Sequence, residues 1–384
     1  MQHFYFDHNA TTPVAPEVLE TAVSCLGQVY GNASSIHHFG QAAKQKLEAA
    51  RRQVAALIHA SPAEVVFTSG GTEADNLAIL GVVRAAGRAP VHLITSAIEH
   101  SAVLGPSAHL EREGVSVTRL PVGAGGMVNP DDVRRSLRPE TVLVSIMHAN
   151  NELGTVQPIA EIARITSEAG VPLHVDGVQA LGKIPVDLET PGVDLYSMSG
   201  HKLYAPKGVG ALFVRKGTRL APTTFGGHHE RDRRPGTENV PGIAALGAAA
   251  ELAGRSLAGE SERLTALRDR LENSVLDRIS GTGINGARWN RTPNTSNIYF
   301  DGIDGEAMVI ALDLRGFAVS TGSACSSGAI TPSHVLTAMG LSADRARSSL
   351  RFSLGRSNTV EQVDALVEAL AASVTHLRRI SVHA

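Results

Sequence analysis

Cysteine is scarce: Cys25 and Cys325 are the two in 384 residues. Two thiols cannot build a thiolate metal cluster or a disulfide framework, and a reducing compartment fits. Charge of one sign is also missing, since 35 basic side chains face 37 acidic ones for a net charge of −2. That balance gives no bulk electrostatic argument for a nucleic-acid or membrane partner. Long apolar runs are absent, and residues 240–254 are too short and too alanine-rich to span a bilayer. The opening Met1-Gln2-His3-Phe4-Tyr5-Phe6-Asp7 lacks the basic and apolar regions of a signal peptide, so a cytoplasmic chain is expected. The glycosylation-type triplets at Asn32, Asn290 and Asn294 then read as chance matches. Aromatics make up 4% of the chain, against 43% hydrophobic residues and 38 glycines, the profile of an Ala/Gly/Val-rich α/β enzyme.

Short β-branched runs alternate with helical stretches from about residue 42 to 255. Residues 64–69, 91–96, 115–120, 141–147, 171–175, 193–198 and 211–214 read as strands. Residues 73–86, 101–113 and 159–169 read as helices between them. This order predicts an α/β fold with a mostly parallel sheet, whose ligands lie beyond the carboxyl ends of the strands. A long helix over 243–277 then changes the character of the chain. Strands at 297–300, 318–320 and 349–353 suggest a smaller α+β unit beyond a boundary near residue 255.

Asp176 and Lys202 each follow a predicted strand, in His174-Val175-Asp176-Gly177-Val178-Gln179 and Ser199-Gly200-His201-Lys202. Either alone would be an ordinary loop residue. Together at one sheet edge they suit pyridoxal phosphate, with lysine forming the Schiff base and aspartate keeping the pyridine nitrogen protonated. The strand, glycine turn and helix start of Thr68-Ser69-Gly70-Gly71-Thr72-Glu73 offer backbone N–H groups and a hydroxyl to a phosphate. Two look-alikes are rejected. Gly281-Thr282-Gly283-Ile284-Asn285-Gly286 spells a dinucleotide fingerprint without its strand–turn–helix context. Gly177 to Lys183 resembles a P-loop, but Ile184 stands where a hydroxyl should, and Pro185 argues against a continuing helix.

Glu99-His100 follows a strand and could place an imidazole over a planar ring; a solvated or structural histidine is the plain alternative. Asn150-Asn151-Glu152 could bind a substrate or cofactor oxygen, or be a polar cap. Cys325 sits in Ser323-Ala324-Cys325-Ser326-Ser327-Gly328, where small neighbours present a thiol rather than bury it. Arg351, in the strand-like Ser349-Leu350-Arg351-Phe352-Ser353, has the fork that suits a carboxylate. Cys25, beside Val23 and Leu26, reads as packed.

Over nearly its whole length the chain resembles a cysteine desulfurase of the pyridoxal-phosphate-dependent class V aminotransferase superfamily, of the iron–sulfur type with an extended cysteine loop. The resemblance rests on Asp7-His8-Asn9-Ala10-Thr11-Thr12-Pro13, Gly31-Asn32-Ala33-Ser34-Ser35, and the segments around Thr72, His100, Asn151, Asp176 and Lys202. It continues through Arg234-Pro235-Gly236-Thr237-Glu238-Asn239, Cys325 and Arg351. It implies fold type I, with a large domain at 16–255 and a small one formed by 1–15 and 256–384. It also implies roles. Lys202 is the Schiff-base lysine and moves the substrate proton, Asp176 faces the pyridine nitrogen, and Gln179 faces the phenolic oxygen. His100 stacks on the ring and handles protons. Gly71, Thr72, Ser199, Gly200 and His201 surround the phosphate, and Thr237 reaches a phosphate across a homodimer. Asn151 lies against the cofactor and, with Arg351, takes the carboxylate of L-cysteine. Cys325 accepts the sulfur as a persulfide for a carrier such as an iron–sulfur scaffold. No resident metal is implied, although a cluster could pass through Cys325.

Overall fold

The structure is a computed structural model that describes residues 2–87, 89–190, 192–322 and 332–381. Cys325 lies outside the described residues.

Seven strands form the central sheet: β2 (Val65–Thr68), β3 (His92–Ser96), β4 (Ser116–Leu120), β5 (Thr141–Met147), β6 (Leu173–Asp176), β7 (Leu195–Ser199) and β8 (Gly210–Val214). β1 (Phe4–Tyr5) precedes them and belongs elsewhere. Their order is β2-β8-β7-β6-β5-β3-β4. β4, β3, β5, β6 and β7 run parallel, and β8 is antiparallel to both β7 and β2. Every residue of β5 is buried, as expected of a strand covered by helices on both faces. Helices Gly71–Ala85, Ser101–Arg112 and Ile159–Glu168 supply that cover, within two residues of their sequence-predicted ends. Register brings Met147 opposite Asp176, and Asp176 opposite Ser197. The carboxyl ends of β3, β5, β6 and β7 therefore share one edge, and β2 points the same way.

A second sheet, β12 (Ser349–Ser353), β10 (Thr295–Phe300) and β9 (Thr282–Ile284), is antiparallel. β11 (Phe317–Ala318) pairs with β1. The fingerprint-like segment at 281–286 contains the strand β9. Gly283 is there because a Cβ would fall 2.5 Å from the ring of Tyr299 on the neighbouring strand. Helix Val240–Arg278 is longer than its sequence pattern suggested, and Asn239 caps it by accepting from Gly242 N. Its first half packs Ile243, Leu246 and Ala250 into the core beneath the large sheet. Its second half packs Leu264, Leu271 and Val275 against Phe300, Leu350 and Leu370 in a separate core. Cys25 is buried as expected, for a different reason: its neighbours Val23 and Leu26 are exposed, and the thiol lies with Val18 and Ala22 on the inward face of helix Pro16–Gln28. None of the described helices is long and apolar enough to cross a membrane.

Candidate active site

Asp176 ends β6, and Lys202 closes a short helical turn, Gly200–Lys202, directly after β7. His100 and Asn151 follow β3 and β5, and Gly71 follows β2. One sheet edge thus carries groups that are far apart in the chain.

The turn at residues 7–10 knits them together. Lys202 Nζ donates to the carbonyls of Asn9 and Ala10, both at 2.6 Å. Gln179 Nε2 donates to Asn9 O at 2.9 Å, and Lys183 Nζ to Asn9 Oδ1 at 2.8 Å. Asn9 Nδ2 in turn donates to Asn151 O and to Thr295 Oγ1. Burial, and then the Arg351 charge, lower the Lys202 ammonium to about 8, with Asp7 and Asp176 opposing. An amine so placed has an accessible neutral form near neutral pH. Burial also drives Lys183 well below its ordinary range.

Asp176 is buried and accepts from Val178 N at 3.0 Å. Burial raises it to about 7, reinforced by Asp75, while His100 and His174 act the other way. His174, behind it on β6, is held by Ser145 and Ser197 and kept neutral by burial, at about 4. His100 caps helix Ser101–Arg112 by accepting from Ala102 N through Nδ1, leaving Nε2 to carry a proton. Its ring is exposed, within electrostatic reach of Asp176, Lys202 and His334.

Glu99 has no counterpart in the sequence reading. It is fully buried, Oε1 accepts from Ser96 Oγ and Met147 N, and Oε2 has no partner among the described residues. Burial raises it to about 8, and the charges of Asp176 and Asp75 add to this. Between the ordinary 4.5 and about 8, the folded chain keeps a proton that the unfolded chain has released. Stability from this group therefore falls as pH rises through that window. A glutamine has no proton to lose. Raising the pH from about 5 to about 8 should shift the thermal midpoint of Glu99→Gln relative to wild type upward, on the order of 1–3 °C. A constant difference across that range would contradict the buried protonated carboxyl.

Gly71 and Ser199 approach each other at the helix start: a Cβ on Gly71 would stand 2.8 Å from Val178 Cγ2 and 3.3 Å from Ser199 Cβ. Thr72 is on the first turn of the same helix. Gly200 N donates to Val209 O, fixing the turn, and His201 Nδ1 lies 3.1 Å from Thr11 Oγ1. Burial, with Lys202 and Lys207 nearby, lowers His201 to about 4. Thr237 stands apart. It is exposed, and no hydrogen bond among the described residues joins it to this pocket. Its segment is anchored by Arg234 to Glu73, and by the buried pair Arg51–Glu230.

Arg351 on β12 is buried, donating Nη2 to Asp7 Oδ1 at 2.6 Å and Nη1 to Asn151 O at 3.2 Å. Asn151 therefore meets it through the backbone carbonyl rather than the amide. Glu152 beside it is buried and raised, first by burial, and accepts from Ser333 Oγ at 2.6 Å. The structure thus gathers Lys202, Asp176, His100, Gln179, Asn151 and Arg351. Asp7, Asn9 and Glu99 join them, residues that sequence reasoning did not single out. For Asp7 and Asn9 the signal was the motif Asp7 to Pro13, which supported the resemblance without receiving a role.

Residues 4–366 match the family described as aminotransferase class-V. A cysteine desulfurase IscS of Dictyoglomus turgidum is 48% identical over 98% of this chain and 96% of its own length. One of Methanosarcina thermophila is 46% identical over 98% and 93%. The chain belongs to the class V aminotransferase family. Among solved structures, a NifS-like protein superposes with a TM-score of 0.92 at 36% identity, covering 98% of this chain and all of that one. SspA in complex with cysteine gives a TM-score of 0.82 at 37% identity, over 91% and 98%.

The family's cofactor is pyridoxal phosphate, and the residues present fit it. The helix that starts at Gly71 has no side-chain cap, and Ser199 Oγ would lie 3.8 Å from a Cβ on Gly71, so free helix N–H groups and a hydroxyl lie close together, as an anion requires. The buried Asp176, raised by desolvation, gains an opposite charge from a protonated ring nitrogen. A half-buried amine stands at the end of the next strand.

Proposed function

We propose that this protein is a pyridoxal-phosphate-dependent cysteine desulfurase that converts L-cysteine to L-alanine and takes the sulfur on Cys325. One observation carries the reading: Lys202, Gln179 and Arg351 are all tied to the turn at residues 7–10, beside Asp176. An amine, a buried acid and a carboxylate receptor are what a small α-amino acid needs. The relatives' names, and the solved relative described in complex with cysteine, point to the same substrate.

When bound, pyridoxal phosphate supplies an electron-accepting ring for the pair released at the substrate Cα. Lys202 would hold the cofactor covalently, then remove and return the substrate proton. Asp176 would keep the ring nitrogen protonated, Gln179 would serve the phenolic oxygen, and the exposed imidazole of His100 would stack on the ring. Gly71, Thr72, Ser199, Gly200 and His201 would hold the phosphate. Arg351 and Asn151 orient the substrate carboxylate. The Cys325 thiolate attacks the substrate sulfur; the S–S bond forms as the C–S bond breaks, and its electron pair stays on the carbon that leaves in alanine. Exposed Thr237 serves the neighbouring subunit of a homodimer. Residues 16–255 are the cofactor-bearing unit, and 1–15 with 256–384 the smaller one; the two separate cores support this division. The persulfide is for a cytoplasmic sulfur-acceptor protein such as an iron–sulfur scaffold, and a cluster could pass transiently through Cys325.

The test is product analysis. Purified protein given L-cysteine and a thiol reductant is expected to yield alanine and sulfide in equal amounts. A keto acid in place of alanine would make it an aminotransferase. Turnover of selenocysteine but not cysteine would make it a selenocysteine lyase.

A further inference from the structure

Arg351 is buried at 4% exposure, yet its guanidinium is only partly engaged. Nη2 donates to Asp7, Nη1 to the Asn151 carbonyl, and Nε is a buried donor without a partner among the described residues. A guanidinium has five donors, so one more carboxylate can be accommodated. Asp7 is not a drifting surface group. Ser353 N donates to Phe6 O at 2.8 Å and His8 N to Ser353 O at 3.0 Å, which clamps residues 6–8 alongside β12. The Asp7 side chain is more exposed than that of Arg351, 18% against 5%, so the carboxylate lies on the open side of the pair. It is also close enough to Lys202 to favour that residue's charged form. A fixed negative charge thus stands beside the donors of Arg351 that remain for an incoming carboxylate.

We infer that Asp7 is a specificity-determining residue: by holding one part of the Arg351 fork, it makes the pocket accept an amino acid with a single carboxylate and reject one whose side chain carries a second. The first carboxylate completes the fork. A second finds a like charge instead of a donor, and like-charge juxtaposition is how sites exclude competitors that would otherwise fit. This inference rests on the substrate reading above, and the experiment separates the two.

The experiment uses cofactor-loaded protein and compares L-aspartate with L-serine as competitive inhibitors of L-cysteine turnover. Wild type is expected to bind aspartate at least about tenfold more weakly than serine. Asp7→Asn keeps the shape and removes the charge, and should bring the two inhibition constants within about threefold. Asp7→Glu keeps the charge and should keep the discrimination, whatever it does to KM. A merely structural role for Asp7 would weaken both ligands alike and leave their ratio unmoved. That result overturns the inference, as would a ratio near one in wild type, which needs no variant to fold. A wild type that forms no alanine from L-cysteine sinks the substrate reading instead.

Discussion

Lys202→Ala is expected to lose turnover of L-cysteine by at least ~10³-fold while still binding pyridoxal phosphate non-covalently. The proposed function rests two tasks on this one amine, covalent attachment and proton transfer, and among the described residues no other lysine ends a strand of this sheet edge beside Asp176. Lys183 is the nearest competitor. It is held by Gln179 Oε1 and Asn9 Oδ1, and burial keeps its ammonium far below the ordinary range. Lys202 instead donates to two backbone carbonyls, acceptors that constrain its direction without neutralising it. Borohydride reduction of the wild-type holoenzyme followed by peptide mapping should place the pyridoxyl group on Lys202. Recovery on Lys183 or Lys207 would overturn the site. Because the phosphate-facing groups are untouched in Lys202→Ala, cofactor should be retained on dialysis more weakly than in wild type but still measurably.

Cys325→Ala is expected to retain the cofactor and its colour, and to change its visible spectrum on addition of L-cysteine. It should then form alanine at a rate lower by on the order of 10²-fold or more, with no persulfide on the protein. On the proposed reading the deprotonated thiol would be the attacking group, and the chain's one other thiol is Cys25. Cys25→Ala is the matched control. Cys25 is buried in helix Pro16–Gln28, where burial raises its thiol above the ordinary value. It should therefore remain unlabelled by iodoacetamide in the folded protein, whereas Cys325 should react. Alanine formation by Cys325→Ala at the wild-type rate would favour an enzyme that needs no protein thiol.

Groups that act through a charged side chain at the end of a strand were legible in the sequence. Asp176 and Lys202 follow β-branched runs, so a strand pattern was enough to place both at one edge. The order of the parallel strands was not legible, because local patterns fix a strand without fixing its neighbours. Nothing in residues 210–214 says that β8 slots between β2 and β7 in the antiparallel sense. Asn9 escaped notice because it meets Lys202 and Gln179 through its backbone carbonyl, which every residue has. Asp7 and Arg351 are 344 positions apart, and only the tertiary fold makes them partners. Glu99 received no role beside His100 in the sequence reading; its neutral state is created by desolvation, which a sequence does not display.

The turn at residues 7–10 has a consequence for how the protein matures. Asn9 N bonds to Ser353 Oγ, its amide to Thr295 Oγ1, and Asp7 to Arg351. The ribosome delivers residues 7–10 well before Arg351, roughly 20–70 s apart at ordinary elongation rates. The sheet that bears Asp176 and Lys202 is fully translated well before that. The nascent chain therefore holds a lysine-bearing edge before the strand that completes it exists, and that edge reaches its final geometry only once Arg351 and Ser353 have been added.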